Sequence, residues 1–256
     1  MTDPRIAPNA SRFGDVAEAY ESVRPLYPDA ALAELAARCG LRAGTAVADL
    51  GAGTGKLTRQ LAALGADVVA VEPLPGMRAA LEAAVPGVRV LDGTAEDIPL
   101  PDASVEIVTA AQAFHWFETR RALDEIARVL RPGGWLALLW NERPESGWAA
   151  ALVDLSHELT GFTRSYPGNG WEYVLADDGR FGPRSVTRFQ VDVTTTPDRE
   201  LADSESRSHV HVLDEDRRRR VLEALRRFLA THPETAGRPE LTYSHPCTLH
   251  VSQRLR

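Results

Sequence analysis

The chain reads Asp49-Leu50-Gly51-Ala52-Gly53-Thr54-Gly55 where a short apolar run, 47–50, ends. Apolar residues at helical spacing follow over 56–64 and stop at a glycine. A tight turn from a strand into a helix favours glycine, because a Cβ atom would clash there. The segment therefore predicts a strand, a glycine-rich turn and a helix, the first unit of an α/β fold.

The spacing of these glycines separates the turn from two other glycine-rich loops. A dinucleotide-binding loop is spaced G-x-G-x-x-G and places a pyrophosphate on the helix N-terminus. This loop is spaced G-x-G-x-G and follows Asp49, whose carboxylate would repel a pyrophosphate and suits a ligand with an amino group. A P-loop is excluded as well, because Leu57 follows Gly55-Lys56 where a serine or threonine is needed. A dehydrogenase is thus disfavoured.

Short apolar strands alternate with helices through the middle of the chain. Such strands are typically parallel and buried on both faces, and right-handed crossovers then give a doubly wound sheet. In these sheets, ligands bind beyond the carboxyl ends of the strands. Strands are predicted at 47–50, 68–71, 88–91, 105–110 and 135–140, and helices at 56–64, 77–84 and 120–130.

The segments on either side of this core have a different character. Two helices are predicted within 12–40, split by Arg24-Pro25-Leu26-Tyr27-Pro28, and we interpret them as a lid. Residues 143–182 combine glycines, prolines and aromatics with weak periodicity, which suggests an acceptor-site insertion. The rest, 183–256, holds a strand at 184–195, a helix at 215–230 and a last strand at 241–253, predicted to pair antiparallel at the sheet edge. We therefore expect a single domain over 1–256.

Glu72 ends the second predicted strand. A carboxylate at that position can accept two hydrogen bonds from the vicinal hydroxyls of a ribose. A ligand with a ribose but no phosphate, and with an ammonium group for Asp49, fits S-adenosylmethionine. The alternative for Glu72 is a solvated acid at a strand end. The third strand precedes a turn, 92–99, that can offer backbone groups and a carboxylate to an adenine edge, although alone it is merely a turn.

These segments together resemble the class I S-adenosylmethionine-dependent methyltransferases over about 45–142. The similar stretches are ADLGAGTG (48–55), VVAVEP (68–73), GTAEDIPLPD (93–102), SVEIVTAAQAFHWF (104–117) and EIARVLRPGGWLALL (125–139). The resemblance implies a Rossmann-like, doubly wound seven-stranded sheet, with the last strands out of sequence order and the final one antiparallel. It also implies a cofactor-binding core over 45–142, with contacts from Asp49, Gly51, Gly53, Glu72, Pro73, Ala95, Glu96, Ala111 and Gln112.

The stretch RFGDVAEAYESVRPLYP (12–28) extends the resemblance to a bacterial group that includes trans-aconitate and natural-product methyltransferases. By this resemblance the segment is a lid, Phe13 and Tyr20 wall the methyl donor, and Arg24 pairs with the cofactor carboxylate. The alternative for the two aromatics is the apolar face of a helix. The C-terminal third is less similar, since His209 stands where relatives often have an aromatic residue, and this leaves the acceptor open.

The segment after the fourth strand, 111–117, is where an acceptor must meet the methyl group. It supplies carbonyl oxygens, three aromatic rings and His115, the candidate general base because an imidazole titrates near working pH. A hydroxyl acceptor would need this help and a carboxylate would not. Alternatively, His115 only orients a neighbour or closes the pocket. The predicted acceptor contacts are Tyr20, Phe114, His115, Trp116, Phe117 and Trp171.

Composition narrows the remaining choices. The formal net charge is −7, which disfavours a nucleic-acid partner. No apolar run is long enough for a membrane span, and the N-terminus lacks the pattern of a secretory signal. Cys39 and Cys247 are expected as two buried thiols, and no metal site is expected. We therefore expect a cytoplasmic enzyme, a possible homo-oligomer, for N- or O-methylation of a small molecule in natural-product biosynthesis. Alternatives are a carboxyl O-methyltransferase of trans-aconitate type, a nucleic-acid or protein methyltransferase, and a non-catalytic cofactor-binding protein.

Overall fold

The computed structural model describes residues 26–162 and 170–256. Phe13, Tyr20, Arg24 and the first of the two expected lid helices lie outside the described residues. Within them, the strands are β1 (Ala46–Leu50), β2 (Asp67–Val71), β3 (Arg89–Leu91), β4 (Val105–Ala111), β5 (Leu130–Asn141), β6 (Ser185–Thr195) and β7 (Leu241–Gln253). They form one sheet in the order β3-β2-β1-β4-β5-β7-β6, which confirms the seven-stranded, Rossmann-like α/β fold.

Strands β1 to β5 are parallel, with β1 between β2 and β4. The central strand is buried from Val47 to Leu50, and this explains the apolar character from which it was predicted. Because the five strands run in one direction, their carboxyl ends share one edge of the sheet. The predicted ligand-binding segments, which follow these strand ends, therefore lie along that edge.

Four helices connect with these strands: α1 (Asp29–Cys39), α2 (Lys56–Ala63), α3 (Pro75–Ala84) and α4 (Thr119–Val129). Helix α1 ends at Gly40, which has a left-handed φ of 68°. Helix α4 is the most clearly amphipathic, and Leu123 and Ile126 on its apolar side are fully buried. The helix is capped by Glu118, whose carboxylate accepts hydrogen bonds from the backbone amides of Arg120 and Arg121 in the first turn.

Strand β5 begins five residues earlier than predicted. The Arg131-Pro132-Gly133-Gly134 stretch does end helix α4, but Leu130 already pairs with Val105, and Trp135 then pairs with Ile107. Between these two pairs, β5 has four residues, 131–134, where β4 has one. This β-bulge shifts the register of the two strands. A pattern search finds only the regular part of such a strand.

The last strand, β7, pairs antiparallel with β5, from Trp135 with Gln253 to Asn141 with Cys247. The predicted antiparallel direction is confirmed. The prediction that this strand is the outermost strand of the sheet is wrong, because β7 lies between β5 and β6. Burial explains the difference. Strand β6 alternates between half-buried and exposed residues, as an edge strand does, whereas β7 is buried over 245–249.

The described residues divide into two compact units. The sheet unit comprises 26–141, 170–189 and 247–256, and the helical unit comprises 142–162 and 190–246. The expected insertion, 143–182, is therefore shared between them. Its second helix, α6 (Trp171–Asp177), belongs to the sheet unit and contacts α4.

The helical unit contains α5 (Gly147–Thr160), α7 (Pro197–Ser206), α8 (Ser208–His211) and α9 (Glu215–Thr231). Its apolar cluster includes Trp148, Leu201 and Leu225. The sequence did not predict α7, because Leu201 and Ala202 are its only apolar residues. A capping signal was present, since the Thr196 hydroxyl accepts from the Arg199 amide and Pro197 starts the helix.

Three further observations concern the described part of the chain. None of its helices has the length and apolarity that a bilayer crossing requires. Both cysteines are buried and neither is in a disulfide, as expected. Over 26–162 and 170–256, no group of three His, Cys, Asp or Glu side chains is placed to hold a metal ion.

Candidate active site

Asp49 is the residue before the end of strand β1, and its carboxylate is buried, only 1% exposed. Its Oδ2 accepts a hydrogen bond of 2.6 Å from the Thr58 hydroxyl, and its Oδ1 accepts one of 2.8 Å from the Thr109 hydroxyl. Burial raises the pKa of Asp49 to about 6, against the effect of these two hydrogen bonds. Neither threonine was predicted as a site residue, although Thr109 pairs directly with Asp49 in the sheet.

The glycine loop needs glycine for two different reasons. Gly51 has a φ of 60°, and a Cβ atom there would lie 2.8 Å from the Ala113 Cβ atom. Gly53 has a φ of 58°, but a Cβ atom there would meet nothing within 4 Å. Gly51 therefore permits close packing inside the protein, whereas Gly53 faces open space above the loop.

Glu72 is 5% exposed and ties the loop to the end of β2. Its Oε2 accepts from the Gly53 amide and its Oε1 from the Leu74 amide, both at 2.9 Å. Burial raises the pKa of Glu72, and these two amides lower it. A carboxylate has about four lone-pair sites, so two more donors can still be accepted. Pro73, the next predicted residue, is half-buried.

Arg78 in helix α3 joins the ends of β2 and β3. Its Nη1 donates to the Glu72 carbonyl oxygen at 2.9 Å, and its guanidinium forms two hydrogen bonds of 3.0 and 3.1 Å to the Asp92 carboxylate. Such a two-pronged pair fixes both partners geometrically. Arg78 was not predicted as a site residue, because nothing in the spacing of the sequence indicates which helical arginine points back toward the sheet.

The turn after β3 is built against the core and against helix α4. Ala95 is 3% exposed and belongs to the main apolar cluster of the sheet unit. The Glu96 carboxylate accepts from the Glu118 amide at 2.7 Å. Its side chain therefore holds the start of α4, in addition to any contact it makes with a ligand.

The end of β4 is conformationally unusual. Gln112 follows Ala111, the last strand residue, and has a left-handed φ of 55°. This conformation is unfavourable for a residue with a Cβ atom. The Gln112 Nε2 donates to the Asn141 carbonyl oxygen at 2.6 Å, and this bond ties the end of β4 to the end of β5. Local strain of this kind is typical of binding and catalytic sites.

The aromatic residues after β4 have three different environments. Phe114 is fully buried, Phe117 is half-buried, and Trp116 is 66% exposed. Trp171 of α6 is 7% exposed; it stacks on Trp140 with ring centroids 5.0 Å apart and packs edge-on against Phe114. The structure thus places Phe114 and Trp171 in the core of the sheet unit, and their contact with an acceptor stays a prediction.

His115 lies in a short 3-10 helix, Phe114–Trp116. The Trp140 indole N–H points at its Nδ1 at 3.4 Å, and since an indole nitrogen only donates, Nδ1 accepts. Burial lowers the pKa of His115 to about 4. At neutral pH the ring is therefore uncharged and carries its proton on Nε2.

The chain is similar to proteins that are named as methyltransferases. A family model described as a methyltransferase domain matches residues 48–138. An uncharacterized methyltransferase of Mycobacterium tuberculosis is 42% identical over 228 residues, which cover 88% of each chain. The chain belongs to the class I S-adenosylmethionine-dependent methyltransferases.

Two further proteins similar to this methyltransferase extend the comparison. The malonyl-[acyl-carrier protein] O-methyltransferase of Methylococcus capsulatus is 38% identical over 132 residues, covering 49% of this chain and 48% of the relative. A solved structure of a candidate type II methyltransferase from Anaeromyxobacter dehalogenans is 27% identical with a TM-score of 0.66, and covers 91% of this chain and 97% of that one.

The residues of the methyltransferase fit its cofactor, S-adenosylmethionine. Gly53 leaves space that a side chain would fill, and Glu72 is a buried carboxylate that can still accept two donors. No phosphate-binding group is needed, which agrees with the acidic surroundings of the loop. The edge of the sheet can therefore take an adenosine-type ligand without a pyrophosphate.

Proposed function

We propose that this methyltransferase transfers the methyl group to a small-molecule carboxylate. In this proposal Glu72 binds the ribose, Gly51 and Gly53 let the backbone approach the cofactor, and the turn after β3 faces the adenine. The other predicted contacts, Pro73, Ala95, Glu96, Ala111, Gln112, Phe13, Tyr20 and Arg24, remain proposals of the same kind, as do the acceptor contacts Trp116 and Phe117.

The state of His115 is the observation that carries the choice of acceptor. His115 is the only titratable side chain in 111–117. An efficient general base has a pKa near the working pH, and the pKa of His115 lies near 4. Since its Nδ1 accepts from Trp140 and its Nε2 carries the proton, it has no lone pair ready for the proton of an acceptor. Its role in the proposal is to orient its neighbours.

An acceptor that needs no base follows from this arrangement. When bound, S-adenosylmethionine supplies a methyl group already activated by a sulfonium, so alignment and exclusion of water can provide most of the acceleration. A carboxylate is anionic at neutral pH and has no proton to lose, whereas a hydroxyl has. The Methylococcus capsulatus relative, an O-methyltransferase for a malonyl group, supports the same choice.

The acceptor class can be tested with a radiolabelled methyl donor. The enzyme is incubated separately with pools of small carboxylic acids, of amines and of phenols, and the products are treated with alkali. Methyl esters then release volatile labelled methanol, whereas N-methyl and aryl ether products keep the label. We expect alkali-labile product from the carboxylic acids alone; stable product from the amines or phenols alone would contradict the proposal.

A second arm tests the part of His115. With the carboxylate acceptor, we expect His115→Asn to lower kcat less than about tenfold, because loss of a general base costs about 100-fold or more. A larger drop, together with a kcat profile that follows one ionisation in the wild type, would restore the base role. Natural-product biosynthesis, a cytoplasmic location and a homo-oligomer remain predictions.

A further inference from the structure

We infer that Asp49 is a positioning residue. It fixes the glycine loop from a buried position in strand β1 and does not contact the ammonium group of the cofactor. This differs from the role expected from the sequence, in which the carboxylate meets that group directly. The inference concerns the cofactor alone and does not depend on the acceptor.

Both oxygens of the Asp49 carboxylate already accept hydrogen bonds from the protein. Thr109 is the direct partner of Asp49 in the β1–β4 pair, so both side chains are on one face of the sheet. Thr58 is the third residue of helix α2 and donates from that helix. All three side chains are essentially inaccessible, since Thr58 and Thr109 are 0% exposed. An ammonium group would have to enter this buried cluster to reach the carboxylate.

The charges and donors around Asp49 also differ from those of a cation-binding carboxylate. The charge of Glu72 raises the pKa of Asp49, so its effect on the Asp49 carboxylate is repulsive. The Asp49 carboxylate is kept in the interior by uncharged donors, which are two hydroxyl groups at 2.6 and 2.8 Å and the Thr58 backbone amide. A carboxylate that served as a cation partner would be expected at the surface of the site, as an open acceptor.

The hydrogen bonds of Asp49 connect elements at both ends of the glycine loop. The glycine loop leaves β1 after Leu50 and enters helix α2 after Gly55. Asp49 bonds the first turn of α2 through Thr58 and the adjacent strand through Thr109, so it fixes the loop at both ends. Glu72 holds its middle through the Gly53 amide. The loop is thus clamped at three points, and Asp49 supplies two of them.

Two ligands separate positioning from direct contact. S-adenosylmethionine carries the ammonium group, and 5′-methylthioadenosine has the adenosine and sulfur without the amino-acid part. Their dissociation constants are measured by titration calorimetry for wild type, Asp49→Asn, Thr58→Val, Thr109→Val and Thr58→Ser. Asparagine removes the charge but can accept from one hydroxyl and donate to the other. Valine removes one hydroxyl at nearly constant shape, and serine retains it.

If Asp49 positions the loop, Asp49→Asn leaves the ratio of the two dissociation constants unchanged within about twofold, because the hydrogen bonds persist. Thr58→Val and Thr109→Val each weaken both ligands by the same factor, about fivefold, because a buried acceptor loses its donor. Thr58→Ser restores both affinities.

Two results would overturn the inference. One is a loss of about tenfold or more for S-adenosylmethionine in Asp49→Asn with 5′-methylthioadenosine unaffected, which would place the carboxylate at the ammonium group. The other is that both valine variants bind both ligands like wild type while their thermal midpoints fall, which would make the cluster merely structural. Thermal unfolding of each variant is therefore recorded beside the titrations.

Discussion

Replacement of Gly53 by alanine separates the cofactor role of the loop from its conformational requirement. The matched control is Gly40→Ala, at the end of helix α1. The two glycines have φ values of 58° and 68°, and a Cβ atom at either position would meet nothing within 4 Å. Each substitution therefore costs the left-handed strain alone, about 1–2 kcal/mol. For a chain of this size, that corresponds to a fall in Tm of roughly 2–8 °C.

The two variants are expected to differ in ligand binding. The added methyl group of Gly53→Ala enters the space over the loop, so we expect the affinity for S-adenosylmethionine to fall about tenfold or more, which is at least about 1.4 kcal/mol. Gly40→Ala should bind like wild type. Thermal unfolding and titration calorimetry measure the two quantities. If both variants lose the same stability and both bind like wild type, the open side of Gly53 does not face the cofactor, and the reasoning fails.

Three other predictions concern Glu72, Trp171 and Glu200. Glu72→Gln should weaken the binding of S-adenosylmethionine by about 1–3 kcal/mol, because the ribose loses a charged acceptor. The control Glu82→Gln, at an exposed position of helix α3, should bind like wild type. Equal affinities of the two variants in calorimetry would remove Glu72 from the site. Trp171→Ala should lower the free energy of unfolding by about 3–5 kcal/mol, because it removes a buried side chain from the core. The control Tyr173→Ala, at a residue that is 80% exposed, should change this free energy by less than about 0.5 kcal/mol. A small effect of Trp171→Ala in urea titrations would indicate that Trp171 lines a pocket instead. Burial and the charge of Asp203 raise the pKa of Glu200 from 4.5 to about 7, so the wild type loses stability as the pH rises from the unfolded pKa through the folded pKa. Glu200→Gln should therefore gain stability relative to wild type between pH 5 and 8. A difference in unfolding free energy that stays constant over this pH range would be inconsistent with the shift.

The parallel half of the sheet and its edge could be predicted from the sequence, because each element there has a strong local signal. Strands buried on both faces are apolar throughout, and glycines mark the turns. The position of Glu72 followed from the same logic, since an acid directly after a buried strand must lie at the sheet edge. These signals depend on a few neighbouring residues, and a sequence shows them without any knowledge of long-range contacts.

The features that the sequence did not predict depend on partners far along the chain. The early start of β5 requires the pairing of Leu130 with Val105. The state of His115 depends on Trp140, which is 25 residues away. The partners of Asp49 are 9 and 60 residues away. Trp171 resembles a pocket aromatic in a glycine-rich segment, and only its stacking on Trp140 places it in the core.

The account depends most directly on the ligand that the edge of the sheet takes. We would titrate the full chain in the calorimeter with S-adenosylmethionine, S-adenosylhomocysteine and NAD. The account predicts saturable binding of the first two, with one site per chain, and no heat of binding with NAD. Binding of NAD without binding of the adenosyl sulfur ligands would contradict it, because the loop would then accept the pyrophosphate that Asp49 and Glu72 are expected to repel.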